Sequence, residues 1–169
     1  LRALNVKPGD EVIVPSFTWV STAEVVKLVG AEPIFADINA DSFNITLEHI
    51  EPKITKKTKA IIPVSMFGRA CDIIEITNYA NEKGIYVIED SAQAFGSKNE
   101  GKMSCSVADI STTSFFPAKP LGCYGDGGAI FTNNEDLYTK INAITKHGQK
   151  GRYNYVEIGL NSRLDTLQA

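Results

Sequence analysis

The chain has 169 residues, enough for one compact domain with a real hydrophobic core. Hydrophobic residues make up 43% and charged residues 22%, an ordinary balance for a globular protein in solution. With 20 acidic against 17 basic side chains the net charge is −3, which gives no support for a nucleic-acid partner, because such a partner calls for a basic patch.

Short apolar runs alternate with helical patterns along the chain. Leu1-Arg2-Ala3-Leu4 reads as the end of a helix already under way. The turn Lys7-Pro8-Gly9-Asp10 precedes a strand at 11–14 (EVIV). A helix follows at 18–29, with Val20, Ala23, Val26 and Leu28 on one face and Gly30 as its stop. Ser16 or Thr18 suits its N-cap. A second strand is expected at 32–37 (EPIFAD), a short helix capped by Thr46 through Ile50, and a third strand at 59–64 (KAIIPV). Asp72 and Glu75 form a D-x-x-E capping box for a helix to Lys83, with Gly84 at a left-handed C-cap. A fourth strand spans 85–89 (IYVIE) and ends at Asp90. A strand at 109–116, a glycine cluster (Gly122, Gly125, Gly127, Gly128), and a strand at 129–132 come next. Asn134 caps a helix to about His147, closed by Gly148. Residues 165–169 read as a helix that has only started, so the chain is expected to be a piece of a longer one, truncated at both ends.

Strands alternating with helices imply right-handed crossovers and an α/β fold, a mainly parallel sheet flanked by helices on both faces. Ligands bind such sheets outside the carboxyl ends of the strands. That rule points to Pro15 to Trp19, Ser65 to Gly68, Asp90 to Gln93 and the surroundings of Lys119. The three cysteines, Cys71, Cys105 and Cys123, are odd in number and form no C-x-x-C pair, so free thiols in a reducing cytoplasm are expected. His49 and His147 stand alone, and no metal site is expected. No apolar run is long enough for a membrane helix and no charged-then-apolar leader opens the chain, so neither a membrane nor a secretory route is expected.

Four segments carry candidate chemistry. In Glu89-Asp90-Ser91-Ala92-Gln93 an apolar strand ends in a carboxylate at the ligand-binding edge. Asp90 there can hold a proton on a ring nitrogen and make a pyridine a better electron sink, or it can simply cap the next segment. In 113–122 (TSFFPAKPLG), Lys119 is flanked by prolines and apolar residues that desolvate and stiffen it, which suits a neutral amine that attacks an aldehyde; a lone lysine there can equally snorkel to solvent. The glycines beside it let backbone pass close to a ligand, or make a tight hairpin before the next strand. They match neither G-x-G-x-x-G nor a Walker A loop. Trp19, the single tryptophan, sits at a strand end and suits either stacking on a planar ring or core packing. Asn161 and Arg163 suit a phosphate or carboxylate contact, or an N-cap.

Taken together, GDEVIVPSFTWVSTAEVV, TKAIIPVSMFG, VIEDSAQAFGS, TSFFPAKPLGCYGDGGAIFT and GLNSRLDTLQA form an ordered set spanning nearly the whole chain. In this set the chain resembles the DegT/DnrJ-type nucleotide-sugar aminotransferases, within the fold type I enzymes that use pyridoxal 5′-phosphate. The resemblance implies that Lys119 binds the cofactor covalently, that Asp90 partners its pyridine nitrogen, and that Gln93 lies near its phenolic oxygen. It further implies that Trp19 stacks on the ring, that Ser114 binds the phosphate, and that Asn161 reaches the phosphate of the neighbouring subunit in a homodimer with shared active sites. By the same resemblance, residues 1–169 are the cofactor-binding large domain. A phosphate-binding turn would belong before it and a smaller C-terminal domain after it.

The implied reaction moves an amino group from an amino acid, glutamate by expectation, to a keto-sugar nucleotide. SMFG, FFPAKPLGCYGDGG and HGQKGRY…NSRLDTLQA are most similar to enzymes that aminate C3 of a UDP-linked 3-oxo-N-acetylglucosaminuronic acid for bacterial surface polysaccharides. Two alternatives share the scaffold. A sugar dehydratase would carry histidine at the position of Lys119, and a non-catalytic or regulatory paralogue need not keep Asp90, Gln93, Ser114 and Lys119 intact. A Rossmann-type NAD enzyme would need the absent G-x-G-x-x-G.

Overall fold

Val12 and Val14 lie in one apolar cluster and Ile13, between them, in another; all three are fully buried. A strand apolar on both sides must be covered on both faces, which is the pattern of a parallel sheet enclosed by helices. The structure, a computed structural model describing residues 1–169, has that architecture.

Strand β1 (Glu11–Pro15) leads through helix α1 (Ser21–Leu28) to β2 (Glu32–Ala36). Helix α2 (Leu47–Ile50) precedes β3 (Thr58–Ile61), and α3 (Ile73–Glu82) precedes β4 (Tyr86–Asp90). A small hairpin, β5 (Lys98–Asn99) and β6 (Lys102–Met103), interrupts the crossover to β7 (Ile110–Ser114). Strand β8 (Gly128–Phe131), helix α4 (Glu135–Ile144) and a terminal hairpin, β9 (Gln149–Gly151) and β10 (Asn154–Tyr155), complete the order. The six-stranded sheet runs β2-β1-β3-β4-β7-β8. Its first five strands are parallel, and β8 returns antiparallel to β7. Gly128 faces Ser114 in that last pairing, where a Cβ would sit 2.7 Å from the Thr113 carbonyl oxygen, so only glycine lets the strands close.

One face packs Val12, Val14, Ile62, Ile88 and Ile110 against Val26 of α1, with Leu137 and Ile141 of α4 at the margin. The other packs Ile13, Ile61 and Val87 against Ile73, Ile76 and Ala80 of α3 and Ile50 of α2. Strand order reverses at β1: the chain first steps outward to β2, then returns across β1 to β3. Such a switch point opens a crevice at the carboxyl edge of the sheet.

Several expected details differ. Helix α1 begins at Ser21, not residue 18, because its N-cap is Val20 and no side chain caps it. Ser16 instead donates to Asp37 Oδ1 at 3.3 Å. The buried stripe of α1 is Thr22 and Val26, four apart, while Leu28 is 84% exposed and Val20 is exposed too. Strand β3 stops at Ile61 because Pro63 has no N–H to extend the ladder, although Ile62 N still donates to Ile13 O at 2.8 Å. The capping box at α3 does not form: Asp72 makes no cap hydrogen bond and accepts from Asn99 Nδ2 at 3.4 Å. Thr46 Oγ1 pairs with His49 Nδ1 at 2.7 Å rather than with a backbone amide. Asn134 does cap α4, its Oδ1 accepting from Leu137 N at 3.0 Å. Gly84 takes the expected left-handed φ of 67°.

Candidate active site

A cavity of about 870 Å³ opens at the carboxyl edge of the sheet. The ends of β1, β3, β4 and β7, and the segments that follow them, contribute to it. Thr18, Trp19 and Ser21 come from the segment after β1, Val64 from the end of β3, and Asp90, Ala92 and Gln93 from β4 and its turn. Ser114 ends β7, and Phe116, Ala118, Lys119, Pro120 and Asp126 come from the loop that follows. Trp19, Asp90, Gln93, Ser114 and Lys119 therefore share one site. Asn161 does not line it; in this chain it bridges Lys146 near the end of α4, and its Oδ1 accepts from Arg163 Nε at 2.9 Å.

Asp90 is held from three sides. Its N–H donates to Pro63 O and its carbonyl accepts from Ser65 N, both at 2.9 Å. Its Oδ1 accepts from Ala92 N at 2.9 Å, while Oδ2 has no partner within the chain. Burial pushes the carboxyl up from its ordinary value, and the Ala92 N–H and the positive charge of Lys119 pull it part of the way back. Asp90 thus keeps one carboxyl oxygen without a partner in the chain, available to accept from a protonated ring nitrogen.

Lys119 sits half-buried on a loop pinned at both ends. Phe115 N donates to Gly127 O at 2.8 Å, and Cys123 N donates to Phe115 O at 2.7 Å. Within it Lys119 N donates to Phe116 O at 2.9 Å, closing the turn that carries the amine. Gly122 presses on the same turn, where a Cβ would lie 2.7 Å from Pro117 O. Lys119 Nζ makes no salt bridge within the chain. The connection is a long pinned loop, not the tight hairpin that the glycines alone allowed.

Gln93 Oε1 accepts from Phe67 N at 3.2 Å, which turns its NH₂ outward as a donor. Ser114 Oγ accepts from Phe116 N at 3.2 Å, leaving its own proton to donate. Trp19 is 72% exposed, so its indole is free to cover a ligand rather than spent in the core. Thr18, Ser21 and Asp126 also face the cavity. Thr18 lies in the stretch Pro15 to Trp19 marked as a ligand-binding edge, though its own side chain was read as a cap; Ser21, just beyond that stretch, was not singled out. Asp126 is a single acid among glycines with no pattern to mark it. Burial pushes the neighbouring Cys105 thiol up to about 11, and the Cys71 thiol up to about 12, so neither is a nucleophile at neutral pH.

An amine, a buried acid and a set of hydroxyl and amide donors gathered at the carboxyl edge of a mainly parallel sheet define a class: an α/β domain whose ligand site is built from strand ends and the loops that follow them. The chain belongs to the DegT/DnrJ/EryC1/StrS aminotransferase family, which it matches over residues 1–169. It is 55% identical to a UDP-2-acetamido-2-deoxy-3-oxo-D-glucuronate aminotransferase of Pseudomonas aeruginosa, with 99% of this chain and 46% of that protein covered. It is 47% identical to a pleiotropic regulatory protein of Geobacillus stearothermophilus, with 100% and 45% covered. Among solved structures it is similar to NtdA of Bacillus subtilis with bound PMP, at 40% identity and a TM-score of 0.91 over 99% of this chain and 38% of that one. The chain spans about half the length of the curated relatives it matches.

Proposed function

We propose that this chain supplies the cofactor-holding site of a pyridoxal-phosphate-dependent aminotransferase acting on a nucleotide-linked keto-sugar. The observation that carries the reading is the cavity shared by Lys119 and Asp90, with Trp19, Gln93 and Ser114 around it. The donor set fits the cofactor group by group. Its aldehyde needs an amine, its pyridine nitrogen an acid, its phenolic oxygen a donor such as the Gln93 NH₂, and its phosphate hydroxyl donors such as Ser114.

When bound, pyridoxal phosphate supplies an aldehyde that condenses with amines and a ring that draws electrons away from the carbon beside the nitrogen. Each side chain then has a stated task. Lys119 Nζ would hold the cofactor and would carry a proton as general acid and base. Asp90 Oδ2 would accept from the ring nitrogen, Ser114 Oγ would donate to the phosphate, and the Trp19 indole would stack on the ring.

The finer reading takes glutamate as donor and C3 of a UDP-linked 3-oxo sugar as acceptor, for bacterial surface polysaccharide synthesis. Its support is the similarity to the Pseudomonas aeruginosa enzyme at 55% identity. Two copies with shared sites are part of the proposal, because Asn161 lies outside its own chain's cavity and would serve a neighbour's. A cytoplasmic location is proposed from the three free cysteines; no helix is long and apolar enough to cross a membrane.

The test is turnover: the protein, pyridoxal phosphate, glutamate and a UDP-linked 3-oxo sugar should yield 2-oxoglutarate and the amino sugar in equal amounts. Cofactor uptake without turnover on any keto-sugar nucleotide would favour the non-catalytic alternative.

A further inference from the structure

Glu89 precedes Asp90 and points to the other side of the sheet, where it is 0% exposed. No lysine or arginine pairs with it. Burying a carboxyl side chain without a cation is costly unless hydrogen bonds replace its water. Three do. Ser91 Oγ donates to Oε1 at 2.7 Å, Cys105 N donates to Oε2 at 2.8 Å, and Ser111 Oγ donates to Oε2 at 3.0 Å.

These donors come from three segments: the turn after β4, the crossover loop after the β5–β6 hairpin, and β7. The backbone around them is tied in the same sense. Ser91 N donates to Thr112 O at 2.9 Å, and Thr113 Oγ1 donates to Ser91 O at 3.4 Å. With Ser91 drawn inward on one side of the strand, Asp90 is committed to the other, and its Oδ1 meets Ala92 N. Cys105 adopts φ 64°, a left-handed conformation uncommon for a side chain of its kind, and its N–H ends on Glu89.

We propose that Glu89 is a positioning residue for Asp90: a buried clamp joining β4, β7 and the crossover loop so that the Asp90 carboxyl is fixed at the cavity. The inference rests on the pyridoxal-phosphate reading of the site. It concerns hydrogen-bond geometry rather than charge. A glutamine can keep the clamp, its Oε1 accepting from Cys105 N and Ser111 Oγ and its NH₂ donating to a rotated Ser91 Oγ. An alanine cannot.

The experiment compares Glu89→Gln, Glu89→Ala and Ser111→Ala with the unaltered protein, using two readouts that do not depend on turnover. One is amide hydrogen exchange at Ala92, the reporter of Asp90 placement, measured without cofactor. The other is the affinity for pyridoxal phosphate together with the pH titration of its lysine-bound absorbance. Glu89→Ala should speed Ala92 exchange and weaken cofactor binding about tenfold or more, the scale on which supporting partners of a site residue act. Its titration should move in the same direction as that of Asp90→Ala. Ser111→Ala, which strips a single donor and stands in if Glu89→Ala does not fold, should show the same changes at about threefold. Glu89→Gln should stay within about threefold of the unaltered protein on both readouts. The proposal is overturned if Glu89→Ala and Ser111→Ala leave Ala92 exchange and the titration unchanged, or if Glu89→Gln loses as much as Glu89→Ala. Should the unaltered protein take up no cofactor, the pyridoxal-phosphate reading falls, while Ala92 exchange still decides the clamp.

Discussion

Asp90 at the end of β4 and Lys119 on the loop after β7 line one cavity, and the charge of Lys119 draws down an Asp90 carboxyl that burial pushes up more strongly. The pair is also unequal in its restraint. Asp90 has both backbone groups and one side-chain oxygen fixed, whereas the Lys119 amine is tied only through the turn beneath it. A fixed acid and an amine without a partner in the chain suit a site in which one group holds a proton and the other moves it.

The raised carboxyl has a consequence for stability without cofactor. Its folded value lies above its unfolded value, so between the two the folded protein keeps a proton that the unfolded chain has released. Stability therefore falls as pH rises through that window, and the penalty persists at neutral pH. Asp90→Asn, which keeps an acceptor for Ala92 N, should raise the Tm of the cofactor-free protein at neutral pH. The gain should fade as pH drops below the ordinary carboxylate range. Thermal melts across pH check it, and a lower Tm for the variant at neutral pH contradicts it.

Ser114→Ala should weaken pyridoxal phosphate by about tenfold, the value of one hydrogen bond to a charged group. It should leave pyridoxal, which lacks the phosphate, almost unaffected. Equilibrium dialysis with both compounds separates loss of a phosphate ligand from general damage.

Gly122→Ala should misplace Lys119 without unfolding the domain. The added Cβ would meet Pro117 O at 2.7 Å, and the turn carrying the amine must shift. Positional errors of about 1 Å cost on the order of 100-fold in well-organised sites. The rate of cofactor attachment, followed by absorbance, should fall roughly 10- to 100-fold, while denaturant melting changes little.

The two faces of α1 make a paired test. Val26→Ala removes two buried methyl groups and should cost about 2 kcal/mol. Leu28→Ala, on a side chain 84% exposed in this chain, should stay within about 0.5 kcal/mol. Urea unfolding of both reads the difference directly.

How much of this was legible from the residues differs by position. β1, β2 and β4 were plain because their apolar runs are short and bounded by turn residues, and the parallel sheet followed from their alternation with helices. The start of α1 was not, because Thr18 looks like a cap while the chain keeps turning through Trp19 and Val20 before the helix begins. Asp72 failed in the same way: a D-x-x-E pattern states which bonds are available, and a φ of −75° with ψ of 60° directs the side chain elsewhere. In the site, Asp90 and Lys119 stood out because each ends or follows a strand at the ligand-binding edge. Glu89 was hidden inside an apolar strand, since its role lies in donors from Ser111 and Cys105 that only the fold brings near. Asn161 shows the limit of a single chain: its expected partner lies in a second copy, and within its own chain it bridges Lys146 and accepts from Arg163.

The most direct measurement is chemical. The protein is incubated with pyridoxal phosphate, reduced with borohydride, digested and mapped by mass. The account predicts one reduced cofactor attached to the peptide bearing Lys119, and none at that peptide in Lys119→Ala. Label scattered over surface lysines, or undiminished total label in Lys119→Ala, would contradict it.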